Sequence, residues 1–278
     1  MFGILIVQQE AECSLRRRLA LRLFPRVGLT AAEGLYRTAL FTTINCTLRP
    51  EWGQKLREKR IDRALRRLRE RGLREVILPA EWQPLARKWE LFPIPTGALR
   101  ESCAQQAVAE ACRGLELPLS QICLQVWGRN ISRPAAMQIL SLAKTVRTVR
   151  VMGEGNESLR NALWRSCGIV DRGPMPENAP VVSLCLSGGK PEGECLMTVD
   201  LTERGEEGEG LWWRPRLLPP EGAMSRLPQG VCPEALAAAL FRCGAVQARE
   251  IRVSRLDIPE DTQYNKGIVD NYEILKNL

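Results

Sequence analysis

The side chains able to do chemistry here are carboxylates, lysines, arginines, cysteines and hydroxyls, because the 278 residues include no histidine. Its absence removes the proton shuttle of Ser–His–Asp and Cys–His relays. Imidazole-ligated zinc, iron and haem are excluded with it. Ten cysteines stand at 13, 46, 103, 112, 123, 167, 185, 195, 232 and 243. None forms a CxxC pair, and the closest spacing of nine residues is too wide for a metal knuckle. Cys123 and Cys185 lie in apolar runs and read as small core hydrophobes. No metal site and no catalytic residue is expected from these groups.

Three look-alikes fail on spacing. The stretch SGGKPEG lacks the spacing of a phosphate loop and the hydroxyl that would follow its lysine. Ser187 follows an apolar strand but has neither a nucleophile elbow nor a histidine base. The acids at 192, 194, 203, 206, 207 and 209 do not keep a calcium-loop register. They read as an acidic excursion, with Trp212 and Trp213 anchoring it or standing at an interface.

The strongest local signal is VRVMGEGNESLRNALWRSCGIVD, residues 149–171. A strand runs into Gly153-x-Gly155 and a helix opens, and a second short strand over Gly168–Val170 leads to Asp171. Such a turn needs glycines for close backbone approach, and the free N–H groups of the helix start face a pyrophosphate. The layout resembles the dinucleotide-binding Rossmann fingerprint. The resemblance implies a nucleotide held by Gly153, Gly155, Asn156 and Ser158, with Asp171 at the ribose and cofactor-borne hydride chemistry. The same residues also fit a plain strand-to-helix turn. Ser158 fills the third glycine position, Glu154 and Glu157 bring negative charge, and Asn156 caps the helix.

Two groups of cations point to anions. Arg129, in Gly128-Arg129-Asn130-Ile131-Ser132, follows an apolar strand, where parallel sheets gather ligands. Ser132 is expected to cap the next helix, with Pro134 in its first turn. In WGQKLREKRIDRALRRLRERG, Ile61, Ala64, Leu65 and Leu68 share one helical face. Lys59, Arg63, Arg66 and Arg67 fall largely opposite and could follow a nucleic-acid backbone or form a solvated face. Pairs Asp62–Arg66 and Arg66–Glu70 offset some of the repulsion along that line.

These residues require elements to hold them. Apolar runs at 4–7, 36–48 and 76–78 alternate with helices near 12–24 and 52–71. Strands at 122–127 and 146–152 alternate with helices near 99–113, 134–144 and 157–167. Helices between short apolar runs are the mark of a parallel sheet. The expected fold is α/β and Rossmann-like, a mostly parallel sheet flanked by helices, with 76–78, 122–127 and 146–152 in one sheet. An antiparallel hairpin is expected over 181–201, where SGGKPEGEC supplies turn residues. PEALAAALF opens a late helix at Pro233. The prolines of 80–96 mark a boundary, which gives a basic 1–96 subdomain, a Rossmann-like 97–258 domain and a polar 259–278 tail.

Net charge is +8, and residues 1–100 hold twenty Lys/Arg against ten Asp/Glu. No apolar run approaches the roughly 18 residues of a membrane span. Met1–Val7 is too short for a signal peptide, so the expected location is cytoplasmic, away from membranes. Three function classes follow. The first is a noncatalytic regulatory or interaction protein, with a protein partner or a second copy of itself. The second is a nucleotide-binding protein or oxidoreductase using the 153–158 turn. The third is a weak nucleic-acid binder using the 52–71 helix. The missing catalytic set and segregated charge favour the first.

Overall fold

The computed structural model describes residues 1–9, 29–49, 51–169, 179–186, 191, 195–203, 211–224 and 231–255. The chain forms two compact units, Met1–Thr96 with Leu218–Ile251, and Gly97–Leu217 with Arg252 onward. Both are built on sheets that are wholly or mostly parallel. Among the described residues no helix is long and apolar enough to cross a membrane.

In the first unit β1 (Phe2–Gln9) is the central strand, and Ile4, Leu5 and Ile6 are all buried. A strand covered on both faces reads as a continuous apolar run. β2 (Leu29–Tyr36) and β3 (Ala39–Leu48) form a hairpin around Arg37, whose φ is 51°. Helix α1 (Gln54–Glu70) buries the expected stripe Ile61, Ala64, Leu65 and Leu68. Gly72, at φ 78°, then turns the chain into β4 (Glu75–Ile77). Helix α2 (Gln83–Arg87) leads to β5 (Phe92–Pro93). The sheet order is β2-β3-β1-β4-β5, with only β2 antiparallel to its neighbour.

The second unit opens with α3 (Gly97–Ser102) and α4 (Ala104–Gly114), two helices where one was expected. β6 (Cys123–Trp127), α5 (Arg133–Leu142), β7 (Thr148–Met152) and α6 (Glu157–Cys167) follow. β8 (Val181–Cys185), β9 (Met197–Asp200) and β10 (Trp212–Trp213) complete a sheet of order β10-β9-β8-β6-β7. All its pairings are parallel. Counted along the chain, the order is 2-1-3-4-5, a doubly wound arrangement. The parallel strands of the first unit, β3-β1-β4-β5, repeat the 2-1-3-4 part of it.

The α/β class and mostly parallel sheets are as expected, but three details are not. The strand at 75–77 belongs to the first sheet, apart from β6 and β7. β8 and β9 are parallel neighbours, so 181–201 is no antiparallel hairpin. Every residue of β9 and all but the first of β8 are buried, which is what interior strands of a parallel sheet require. The antiparallel piece of the C-terminal part is instead a two-stranded sheet, Leu217–Leu218 with Arg252–Val253. Lastly, Gly168 ends α6 in the left-handed region at φ 66°, so no strand begins there. Val170 and the expected helix near 12–24 lie outside the described residues.

Candidate functional site at the strand ends of the second unit

The glycine turn follows β7. Gly153 has φ 90° and Gly155 φ 74°, both in the region that favours glycine. A Cβ on Gly153 would lie 2.3 Å from Gly128 O, and one on Gly155 would lie 2.1 Å from Asn130 Oδ1. The space the glycines leave is therefore filled by the neighbouring loop, Gly128–Ser132, which follows β6. Asn130 N donates to Glu154 O at 3.2 Å, joining the two loops through their backbones.

Asn156 completes the join. Its side chain is buried, with Oδ1 accepting from Ile131 N at 2.9 Å and Nδ2 donating to Gly128 O at 2.8 Å. Longer contacts run from Nδ2 to Met152 O and Gly153 O, at 3.3 and 3.4 Å. Asn156 occupies the N-cap position of α6, yet its side chain makes no cap hydrogen bond. The expected capping role is corrected: the amide is committed across the two loops, where it satisfies backbone groups a cap would leave open. Arg160 folds back, donating from Nη2 to Val151 O at 3.0 Å and Gly153 O at 2.8 Å. Ser158 is exposed on the first turn of α6, and Asp171 lies outside the described residues.

Reversal of strand order places the crevice of this sheet between β6 and β8 rather than at the end of β7. Leu186 N donates to Trp127 O at 2.8 Å there, and a Cβ on Gly128 would touch Leu186 Cβ at 3.2 Å. Arg129 and Asn130 are exposed beside it, Asn130 at φ 50°. Ser132 caps α5 as expected, accepting from Ala135 N at 3.4 Å, with Pro134 in the first turn. Its hydroxyl donates to the buried Glu101 carboxylate of α3. The loop Ser187–Lys190 lies outside the described residues.

One buried acid was not singled out from the sequence. Asp200, at the end of β9, is fully buried and accepts from Thr202 N and Oγ1 at 2.8 and 2.6 Å. Arg214, just past β10, donates to it at 2.9 Å and to Glu203 O at 2.7 Å. Glu203 in turn accepts from Gly97 N at 2.7 Å. The available signal was an aspartate ending the otherwise apolar run LMTVD.

In the first unit, the line of cations on α1 is partly engaged. Arg66 pairs with Glu70 at 2.9 Å and lies 5.9 Å from the centre of the Trp89 ring. Arg67 reaches Leu29 O at 3.5 Å. Lys59 is exposed and Arg63 half-buried. Asp62, expected to offset Arg66, instead accepts from Trp89 Nε1 at 2.8 Å. Arg60 is buried over the Trp52 ring and beside Cys46. Burial pushes the Cys46 thiol up to about 11 despite that guanidinium, and burial alone takes Cys112 to about 11. Both are therefore protonated near neutrality and poor nucleophiles. Among the described residues no cluster of Cys, Asp and Glu forms a metal centre. No family model matches this chain, and no curated protein is similar to it.

Proposed function

We propose that this chain is a noncatalytic regulatory or interaction protein on a doubly wound scaffold, working through its surfaces. The observation that carries this reading is the closure of the glycine turn. The positions that a Cβ on Gly153 or Gly155 would take lie against Gly128 O and Asn130 Oδ1, and Asn156 fastens the two loops. A carbonyl and an amide oxygen presented there oppose an anion rather than receive it. Asp200, Thr202, Arg214 and Glu203 likewise satisfy one another at the ends of β9 and β10.

Titration calorimetry with NAD, NADP and simple nucleotides tests it. The folded chain should give no saturable heat at millimolar ligand, and Gly155→Val should change stability without changing that result. Saturable binding that Gly155→Val abolishes would overturn the reading in favour of a nucleotide-binding protein.

The strand order favours one further arrangement, a small anionic ligand beside Arg129 at the β6–β8 crevice. Binding of inorganic phosphate or a nucleotide that survives Gly155→Val and is lost in Arg129→Ala would establish it.

A further inference from the structure

Among the described residues, the sheet of the first unit ends on an edge strand with few of the usual safeguards, Glu33 being its one charged residue. β2 pairs with β3 along its whole length, from Leu29↔Cys46 to Tyr36↔Ala39, and stands last among the described strands of its sheet. Protein edges are commonly kept from pairing by shortness, proline, lysine or a bulge. β2 has eight residues, contains neither proline nor lysine, and keeps an unbroken register. Thr30, Ala31, Ala32 and Glu33 are exposed. Leu35 is 69% exposed, and Leu40, directly opposite it in β3, is 42% exposed.

The hairpin fixes which backbone groups face outward. Two residues, Arg37 and Thr38, separate Tyr36 from its partner Ala39, so that pair is hydrogen-bonded. Alternation then turns Thr30, Ala32, Gly34 and Tyr36 toward β3. The N–H and C=O groups of Leu29, Ala31, Glu33 and Leu35 point away from it. Arg67 reaches one of these, Leu29 O, from the side of α1.

We infer that a second copy of this chain pairs antiparallel with β2, about a two-fold axis at Ala32. Symmetry permits few registers, because outward groups must meet outward groups. An axis at Glu33 sets two carboxylates face to face, which is destabilising. An axis at Ala31 pairs Leu29–Glu33 and Ala31–Ala31 and leaves Leu35 without an outward partner within β2. The axis at Ala32 pairs Leu29–Leu35, sets Glu33 opposite Ala31 of the second copy, and brings the exposed Leu35 to the margin of the core in which Leu29 is buried. Each Glu33 already has its own Arg71 at 2.8 Å, which moderates repulsion across the axis. The pairing joins two five-stranded sheets into one and leaves no free edge on that side.

This inference rests on the interaction reading and gives it a surface, yet the two fail separately. Nucleotide binding at the strand ends would sink the first and leave β2 untouched. The test is sedimentation of the full chain in reductant over a concentration series, with crosslinking of two cysteine variants beside it. Ala31→Pro removes an outward N–H while keeping the ladder to β3, and should raise the dimer dissociation constant at least about tenfold. Leu35→Lys, at an exposed position, should do the same and decides the matter if the proline variant misfolds. Ala32→Cys should link two copies under mild oxidant, through a disulfide between the two introduced thiols that peptide mass spectrometry identifies. Thr30→Cys should not, because Gly34 of the second copy stands opposite it. A chain that stays monomeric at its highest attainable concentration overturns the inference. So does a dimer weakened by neither Leu35→Lys nor Ala31→Pro, or equal crosslinking at 30 and 32.

Discussion

At the scale of residues, the two turn glycines differ in what opposes a side chain. Gly153 faces a backbone carbonyl that cannot swing aside, whereas Gly155 faces the end of an exposed asparagine. Gly153→Ala should therefore cost about 3 kcal/mol or more and Gly155→Ala about 1–2, both having to adopt a left-handed backbone. Urea unfolding of the two variants checks the order. The buried thiols set a pH dependence. Cys46 and Cys112 titrate near 9 when unfolded and about 11 when folded. A raised folded value means their contribution is complete below pH 9 and lost as pH rises toward 11. Each thiol should account for roughly 2–3 kcal/mol of that loss. Urea midpoints between pH 8 and 11 should fall less steeply in a Cys46→Ala, Cys112→Ala double variant than in the parent. Glycine content and a strand running into it were legible in the sequence; the occupant of the glycines' space was not. That occupant, the 128–132 loop, comes from a segment more than twenty residues earlier, and only tertiary packing brings it there. Burial of Arg60 escaped for a similar reason. Its long side chain lies over Trp52, so one charged residue joins a face otherwise read from its apolar members.

At the scale of elements, amphipathic helices and interior strands were legible, while the direction in which neighbouring strands run was not. The 3.6-residue period of Ile61, Ala64, Leu65 and Leu68 sufficed to orient α1. β8 and β9 carry no alternation, since both their faces are covered. Turn-rich residues between them suggested a hairpin, because composition reports that a chain bends and not the direction in which it resumes. The link between β9 and β10 gives a prediction. Arg214 brings the only side-chain cation shown on the fully buried Asp200 among the described residues. Arg214→Ala leaves that carboxylate with Thr202 and should destabilise the chain by about 2–3 kcal/mol, less than for a wholly buried pair because Arg214 is itself partly exposed. Arg214→Lys should recover part of this, and denaturant titration of the three proteins would show the ranking.

At the scale of the whole molecule, two units repeat one order of parallel strands through unlike sequences. Strands of eight, ten, three and two residues in the first correspond to five, five, five and four in the second, so no repeat shows by eye. The helix at Pro233–Arg242, α7, was legible from PEALAAALF, but not its membership of the first unit. There it buries Leu236–Leu240, and Arg242 meets Glu75 at 2.5 Å. Arg37 likewise reaches Ala245 O and Glu250, both at 2.8 Å. Truncation after Leu217 should therefore strip hydrogen-exchange protection from β1, β3 and β4 far more than from β6 and β8. Equal loss in both sheets would count against this division. The same path of the chain has a consequence during synthesis. The ribosome delivers the first sheet early, yet α7 emerges only after residues 97–232 have been made. At about 5–20 residues per second, the nascent first unit waits roughly seven to thirty seconds for its last helix. The apolar surface that α7 covers stays open in that interval, so the strands made first depend longest on a chaperone while translation continues.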